Sequence, residues 1–339
     1  MATYLNYPFD PELFIYNWKN EPDLVKTALI DSGAVQNNAE IAEQISKGSD
    51  LYTVPFYKTI GGAPENYDGQ TDITITDPDA SSQTGVVYGR AHAWREKDFI
   101  VDFNSGAHPM QQIASQVAKY WNKQRQSTLI SILNACFGVT GSGAFADWAN
   151  HTTDISAAST VTADNKMGAT TVGDAIQKAV GDAADQFGLA VMHSKVANGM
   201  AGLEVLEYRK YTDAMGIQRQ MNIADINGMT VIVDDGVPVT GSGATAKYTT
   251  YVLGNGAIQY AEAPVEHPAS LTRDELTGGG YTALVTRLRE TLLPNGFTFK
   301  VPSSGYTKSP TPAQLAASAN WDIVGNPKSI ALAKIVTNA

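Results

Sequence analysis

Residues 109–138 read Pro-Met-Gln-Gln-Ile-Ala-Ser-Gln-Val-Ala-Lys-Tyr-Trp-Asn-Lys-Gln-Arg-Gln-Ser-Thr-Leu-Ile-Ser-Ile-Leu-Asn-Ala-Cys-Phe-Gly. Pro109 suits a first helical turn, where an N–H would have no partner anyway, and Gly138 supplies a stop. Between them Ile113, Val117, Tyr120, Trp121 and Thr128 keep a three-to-four spacing, and Leu129, Ile132, Leu133, Cys136 and Phe137 continue it. The pattern predicts one helix over 110–137, ~42 Å long at ~1.5 Å per residue and longer than most globular helices. No Asp or Glu occurs from Phe103 to Ala146, whereas Lys119, Lys123 and Arg125 fall on the helix. The helix is therefore basic, and its cations read either as a solvated face or as a face turned toward something anionic.

Upstream, the texture is β-like. Val54, Phe56 and Tyr57 read as strand, and Gly61, Gly62, Pro64 and Gly69 form a polar, turn-rich tip. Ile73 and Ile75 alternate with threonines, and Val86 to Val101 is a second long β-like run. That run carries Tyr88, Arg90, His92, Trp94, Arg95, Glu96, Lys97 and Asp98. An extended hairpin with so many charges cannot lie wholly in one core, so part of it is expected to project. Before it, Asn38 can cap a helix ending at Gly48, and Pro22 with Gly33 brackets another. The first eighteen residues hold Tyr4, Tyr7, Phe9, Phe14, Tyr16 and Trp18, too apolar for a solvated tail, while Pro8 and Pro11 interrupt any helix. They read as an arm laid on its own domain or strapped to a neighbouring subunit.

Downstream, Gly-, Ser- and Thr-rich loops give way to alternating helices and strands. Thr171 with Asp174 has the spacing of a capping box. Val172, Ile176, Val180, Ala183 and Phe187 make the stripe of a helix ending at Gly188. A strand from Leu189 to His193 follows, and Ser194 can cap a helix running to about Arg209. Met229–Val233 and Tyr248–Leu253 read as buried strands, which makes a compact α/β unit. Beyond Ala263 the chain turns β-rich again, with a strand over 281–292, a short helix from Thr311-Pro312 and a last strand over 330–336.

The composition limits what this chain can do. Of 339 residues, 24 are Lys or Arg and 34 Asp or Glu, a net charge of −10. Such a chain lacks the clustered cations that coat nucleic acid by neutralising phosphates. A single cysteine, Cys136, excludes a disulfide framework and any multi-cysteine metal site, and its place on the helical stripe makes it a small buried residue. No charged and apolar leader and no apolar run of ~18 residues is present, which argues against a membrane. The five histidines are scattered, no phosphate- or dinucleotide-binding glycine motif occurs, and no cofactor is expected. His193 beside Ser194 is the best remaining catalytic pairing. Adjacent strand residues face opposite ways, so the pair is badly placed to share a proton. Asp234-Asp235 before Gly236 reads as a turn.

The order of these parts resembles the major capsid (coat) proteins of tailed bacteriophages, the Johnson fold. Thr53-Val54-Pro55-Phe56 ahead of Gly61-Gly62 looks like the lead-in to that family's extended loop. Gly106-Ala107-His108-Pro109-Met110 followed by Tyr120-Trp121-Asn122 looks like the start of its spine helix. Val191-Met192-His193-Ser194, the stretch Asn227-Gly228-Met229-Thr230-Val231-Ile232-Val233-Asp234-Asp235 with Val237-Pro238, and Leu253-Gly254-Asn255-Gly256-Ala257-Ile258 look like its axial domain.

The resemblance implies an α+β capsid fold. Its parts would be an N-terminal arm with short helices (1–50), an extended β-hairpin loop (51–103), a peripheral domain with a spine helix (104–170), an axial domain (171–263), and return strands with a C-terminal segment (264–339). It implies a non-enzymatic subunit that assembles with itself, as pentamers and hexamers, into an icosahedral shell around double-stranded DNA, without sequence-specific contact. The subunit would be made in the bacterial cytoplasm and reside in the virion. Only about fifty residues precede the loop. That is too few for a fused scaffolding segment, so a separate scaffolding protein, or assembly without one, is expected, together with a portal and a decoration protein. Residues expected at subunit contacts are Tyr4, Phe9, Trp18, Tyr88, Arg90, Trp94, Arg95, Glu96, Lys97 and Asp98, and Lys119, Lys123 and Arg125 are candidates for the interior face. The same fold would also suit an encapsulin-like cargo compartment, and an α/β-hydrolase-like enzyme using His193 or Ser194 is the alternative of a different class.

Overall fold

The structure, a computed structural model, describes residues 3–4, 7–8, 33–58, 60, 63–70, 72, 75, 77, 79–98, 109–203, 207–212, 218–226 and 228–339. The expected contacts of Phe9 and Trp18, the helix bracketed by Pro22, and the Gly61-Gly62 turn lie outside these residues.

In chain order, β1 (Thr3–Tyr4) pairs with β2 (Tyr7–Pro8), and β3 (Val35–Asn37) leads into α1 (Ala39–Ser46). Asn38 caps α1 as its side chain predicts, accepting from the Glu40 and Ile41 amides at 3.0 and 3.3 Å. Then come β4 (Leu51–Tyr57), β5 (Ala80–Val86), β6 (Tyr88–Lys97) and the long helix α2 (Pro109–Phe137). After β7 (Thr152–Asp154), α3 (Thr171–Val180), β8 (Phe187–Met192) and α4 (Ser194–Gly202) alternate. Six strands follow: β9 (Glu207–Thr212), β10 (Gln218–Ile226), β11 (Met229–Val233), β12 (Val239–Thr240), β13 (Lys247–Gly254) and β14 (Ile258–Ala263). The chain continues with β15 (Ala269–Asp274), β16 (Tyr281–Pro294), β17 (Phe297–Phe299), α5 (Pro312–Ala316), β18 (Trp321–Ile323) and β19 (Leu332–Asn338).

Two sheets dominate. The larger runs β7-β19-β13-β8-β11-β10-β9, with β12 beside β13. Its centre explains why Leu189–Met192 reads as an unbroken apolar run. Leu189 and Val191 point into a cluster with Leu129, Ile132, Leu133 and Cys136 of α2. Ala190 and Met192 point the other way, among Val172, Ile176 and Val180 of α3 and Val196 and Met200 of α4. A strand buried on both faces has no reason to alternate polar with apolar residues. In the second sheet β16 is the shared strand. β6 lies along one edge from Tyr281 to Glu290, and β15 and then β14 share the other. β3 pairs outside β14.

The helix α2 ties the sheets together. Trp121 Nε1 donates to Thr286 of β16 at 3.3 Å, and Arg125 Nε donates to Glu290 at 2.8 Å. Toward the larger sheet, Gln126 Nε2 donates to the buried Asp234 at 2.8 Å, and Tyr251 Oη donates to Asn134 at 2.9 Å. Asp234 therefore does more than close a turn, although its second oxygen does accept from Gly236 N at 2.8 Å.

Several expectations change. β5, not β6, is the return strand of the hairpin, in register from Leu51↔Val86 to Tyr57↔Ala80. Tyr52 lies across Gly85, where a Cβ would come within 2.2 Å of its ring, and its hydroxyl bonds Thr291 at 2.9 Å. At Val87 the chain turns away, and β6 joins β16. The sequence pattern shows that 88–97 is strand but carries no address for the partner.

The helix expected to end at Gly188 stops at Val180, because Gly181 takes φ +68 and reverses the chain, and Phe187 opens β8 instead. Thr171 forms no capping box, since it is already helical and its hydroxyl accepts from Gly168 N. His193, not Ser194, caps α4, and that helix ends at Gly202 rather than near Arg209. The expected divisions also cross the sheets: β14 of 171–263 pairs with β16, whereas β7 of 104–170 and β19 of 264–339 complete the larger sheet.

Candidate functional site

The hairpin β4–β5 ends in a neck and opens into a loop. At the neck Lys58 N donates to Asp79 O at 2.9 Å and Lys58 Nζ pairs with the Asp79 carboxylate at 2.6 Å. Beyond it, Ile60 is 86% exposed, and Tyr67 and Ile75 are each 91% exposed. Large apolar side chains held in water cost free energy that burial would recover. These residues were not singled out by sequence, because Ile73 and Ile75 alternating with threonine looks like an ordinary half-buried strand.

At the root of the loop, β6 is locked into its own subunit. Tyr88 is fully buried and donates to Glu290 Oε1 at 3.0 Å. Its side chain is thus unavailable to a neighbour, which corrects its assignment as a contact residue. Burial, reinforced by the Glu290 charge, pushes the Tyr88 hydroxyl well above the usual tyrosine range. Arg125, 15% exposed in its side chain, donates to Glu290 Oε2 at 2.8 Å, pairs with Glu262 at 3.3 Å, and lies 4.8 Å over the Tyr260 ring. Burial alone would lower the Arg125 pKa; the Glu290 carboxylate, with Tyr260 and Glu262, more than offsets it and raises it. Arg125 is therefore spent inside the subunit and separates from Lys119, which is exposed, and Lys123, which is half-buried.

Further along β6, Trp94 meets His92 and Tyr120 edge-on, at ring separations of 4.8 and 5.1 Å, and Tyr120 meets Trp121 at 5.1 Å. Arg90 lies 4.9 Å over the Tyr88 ring. Arg95 is exposed over Tyr281, and Glu96 and Lys97 are half-buried opposite Thr282 and Tyr281. Asp98 receives Arg273 Nη2 at 2.9 Å, a pair that holds the β15–β16 turn. Tyr4 lies in β1.

The candidate catalytic pair has a structural role. His193 Nδ1 accepts from Lys195 N at 3.1 Å, and Ser194 N donates to Asp235 at 2.9 Å, so both residues shape the start of α4. Among the described residues no group of three or more His, Cys, Asp or Glu is placed to hold a metal ion. No described helix is long and apolar enough to cross a membrane.

Comparison with known proteins agrees with a contact-making subunit. Residues 41–331 match the family described as Gp13-like, Major capsid protein 13-like. The chain is 30% identical over 329 residues to the major capsid protein of Bacillus phage SPP1, covering 94% of this chain and 93% of that one. The fold is similar to the capsid of Ralstonia phage GP4, with a TM-score of 0.60 at 10% identity over 91% of this chain and 90% of that one. It is also similar to the cyanophage Pam1 capsid, with a TM-score of 0.59 at 11% identity over 94% of each. With its α+β capsid fold, and with a family match spanning most of its length, the chain belongs to the Gp13-like family of phage major capsid proteins.

Proposed function

We propose that this subunit builds a closed icosahedral shell around double-stranded DNA, and that the loop beyond the Lys58–Asp79 neck is its main reach into a neighbouring copy. The single observation carrying this is the exposure of Ile60, Tyr67 and Ile75 on a loop that extends from its own subunit. Repeated around pentamers and hexamers, a modest contact of this kind multiplies, so each interface need not be strong alone. Arg95, Glu96 and Lys97 at the end of β6, and Asp98 just beyond it, would add a further contact with the neighbour. The arm residues Tyr4, Phe9 and Trp18 would add a strap.

A net charge of −10 suits a wall that holds DNA without gripping it. A separate scaffolding protein, a portal and a decoration protein are the partners this reading implies, with assembly in the host cytoplasm before the shell becomes part of the virion. The cargo-compartment reading of the same fold has weaker support, since the matched family and relative are phage capsid proteins. The test is to replace residues 60–77 with a Gly-Ser linker in the full chain. Particles seen by negative stain should disappear while the subunit still unfolds cooperatively, and particles at parental yield would refute the role given to the loop.

A further inference from the structure

The β4–β5 hairpin is supported by its own subunit at its root. Along β5, Gln83, Gly85 and Val86 are buried, whereas Ala80 and Ser82 are exposed. On β4 Tyr52 is buried and Tyr57, at the outer end, is 80% exposed. The strands stay paired over the whole distance, so the outer half is carried by the root.

Three hydrogen bonds hold that root. Tyr52 Oη lies 2.9 Å from Thr291 Oγ1 of β16. Gln83 Nε2 donates to Pro294 O at the end of β16 at 2.8 Å, and Thr84 N donates to Thr298 Oγ1 of β17 at 3.0 Å. A single bond would be a pivot, whereas three bonds to two strands oppose both tilt and twist. Buried donors and acceptors are costly to leave unmade, so the orientation that satisfies all three is favoured. The Tyr52 ring is itself located by Gly85, since it occupies the space that a Cβ there would fill.

We propose that Tyr52, Gln83 and Gly85 are positioning residues that set the angle at which the loop leaves its subunit, and through it the curvature of the shell. The proposal rests on the reading of the loop as an inter-subunit contact and assigns its direction to the hairpin root. A tilt of about 10° at the root moves a point ~20 Å away, the span of about six strand residues, by ~3.5 Å. That is enough to take an apolar side chain out of contact with its partner. Head-to-tail contacts close only when their rotation fits, so a contact made at another angle gives open or wrong-sized assemblies.

The test is made in the full-length chain. Tyr52→Phe removes one oxygen atom and leaves the ring over Gly85, and Gln83→Met keeps the side chain's length and loses its donor. The double variant should still assemble, but the share of particles with the parental diameter, counted in negative stain, should fall about threefold or more, in favour of open and wrong-sized ones. Leu315→Val, a change in the buried core at α5, is the control: it should lower the subunit's unfolding midpoint and leave one particle diameter.

A single parental diameter from the folded double variant, or the same spread of sizes from the control, would overturn the assignment. So would the loss of every particle from a folded double variant, because a misaimed loop keeps all its contact side chains. If the double variant does not fold, Tyr52→Phe alone takes its place and the same outcomes decide. Replacement of residues 60–77 by the Gly-Ser linker separates the two levels. Parental particles from that chain would mean that the loop is no contact, and both readings fail. No particles from it, with one diameter from the hairpin variant, would mean that the loop binds a neighbour but is aimed by something else.

Discussion

The junction of α2 with β16 and the loop beyond Lys58 invert the usual distribution of residues. At the junction a carboxylate and a guanidinium are taken out of water and matched atom for atom, Glu290 to Tyr88 and Arg125. In the loop, isoleucines and a tyrosine are left in water. Apolar packing alone would leave a long helix free to slide on a sheet, whereas a buried ionic network fixes one register. The loop, in turn, holds in reserve the burial that the isolated subunit does not use. The comparison teaches that the subunit pairs its charges where its own halves meet and leaves apolar side chains in water on the loop proposed to meet a neighbour.

The sharpest way to break that contrast is Glu290→Ala. It leaves Arg125 without its main partner in a poorly solvated site, and unfolding of the unassembled subunit in urea should show a loss of about 3–5 kcal/mol. A loss below about 1 kcal/mol would mean the junction is held by packing alone. Asp234→Ala tests the adjacent helix residue, Gln126, where the same helix meets the larger sheet. It strips the acceptor from Gln126 and Gly236, for an expected loss of about 1–3 kcal/mol by the same measurement.

A smaller effect comes from His151, which is buried beside Trp148 at a ring separation of 4.4 Å, with Nδ1 at 2.7 Å from Leu332 O. Burial lowers its pKa below 6.5, against the raising effect of the Leu332 and Pro327 carbonyls and Asp147. A depressed folded value means that its contribution is complete above 6.5 and is lost as pH falls through the folded value. The melting temperature of the subunit should therefore drop on acidification from neutral pH, and His151→Gln should flatten that drop; an unchanged slope would remove His151 from the acid response. Least affected should be the loop: Tyr67→Ser with Ile75→Ser is expected to move subunit stability by no more than about 0.5 kcal/mol. A larger shift would show that the loop packs on its own subunit after all.

What the sequence made legible follows from local physics. α2 could be read from its spacing, its proline and its glycine, and β8 from a short apolar run. The capsid resemblance rested on the order of such elements. What stayed hidden was pairing over distance. Arg125 meets Glu290 165 residues later, so a helix without acids looked like a basic face when one of its cations was already matched. β6 looked like half of the projecting hairpin because an edge does not reveal which strand will cover it. Helix ends were misjudged where two glycines competed, since only the backbone geometry shows that Gly181, and not Gly188, takes the left-handed conformation. The exposed loop residues were missed for the opposite reason: an isoleucine looks the same in sequence whether its partner is in its own chain or another.

β19 lies between β7 and β13, so the larger sheet receives one of its inner members from residues 332–338. During synthesis, strands made earlier, down to Thr152–Asp154, must wait for this one before the sheet can close. A chain without residues 332–338 therefore lacks part of the sheet against which α2 packs. The order of synthesis thus withholds a closed larger sheet from any chain that has not yet made residues 332–338.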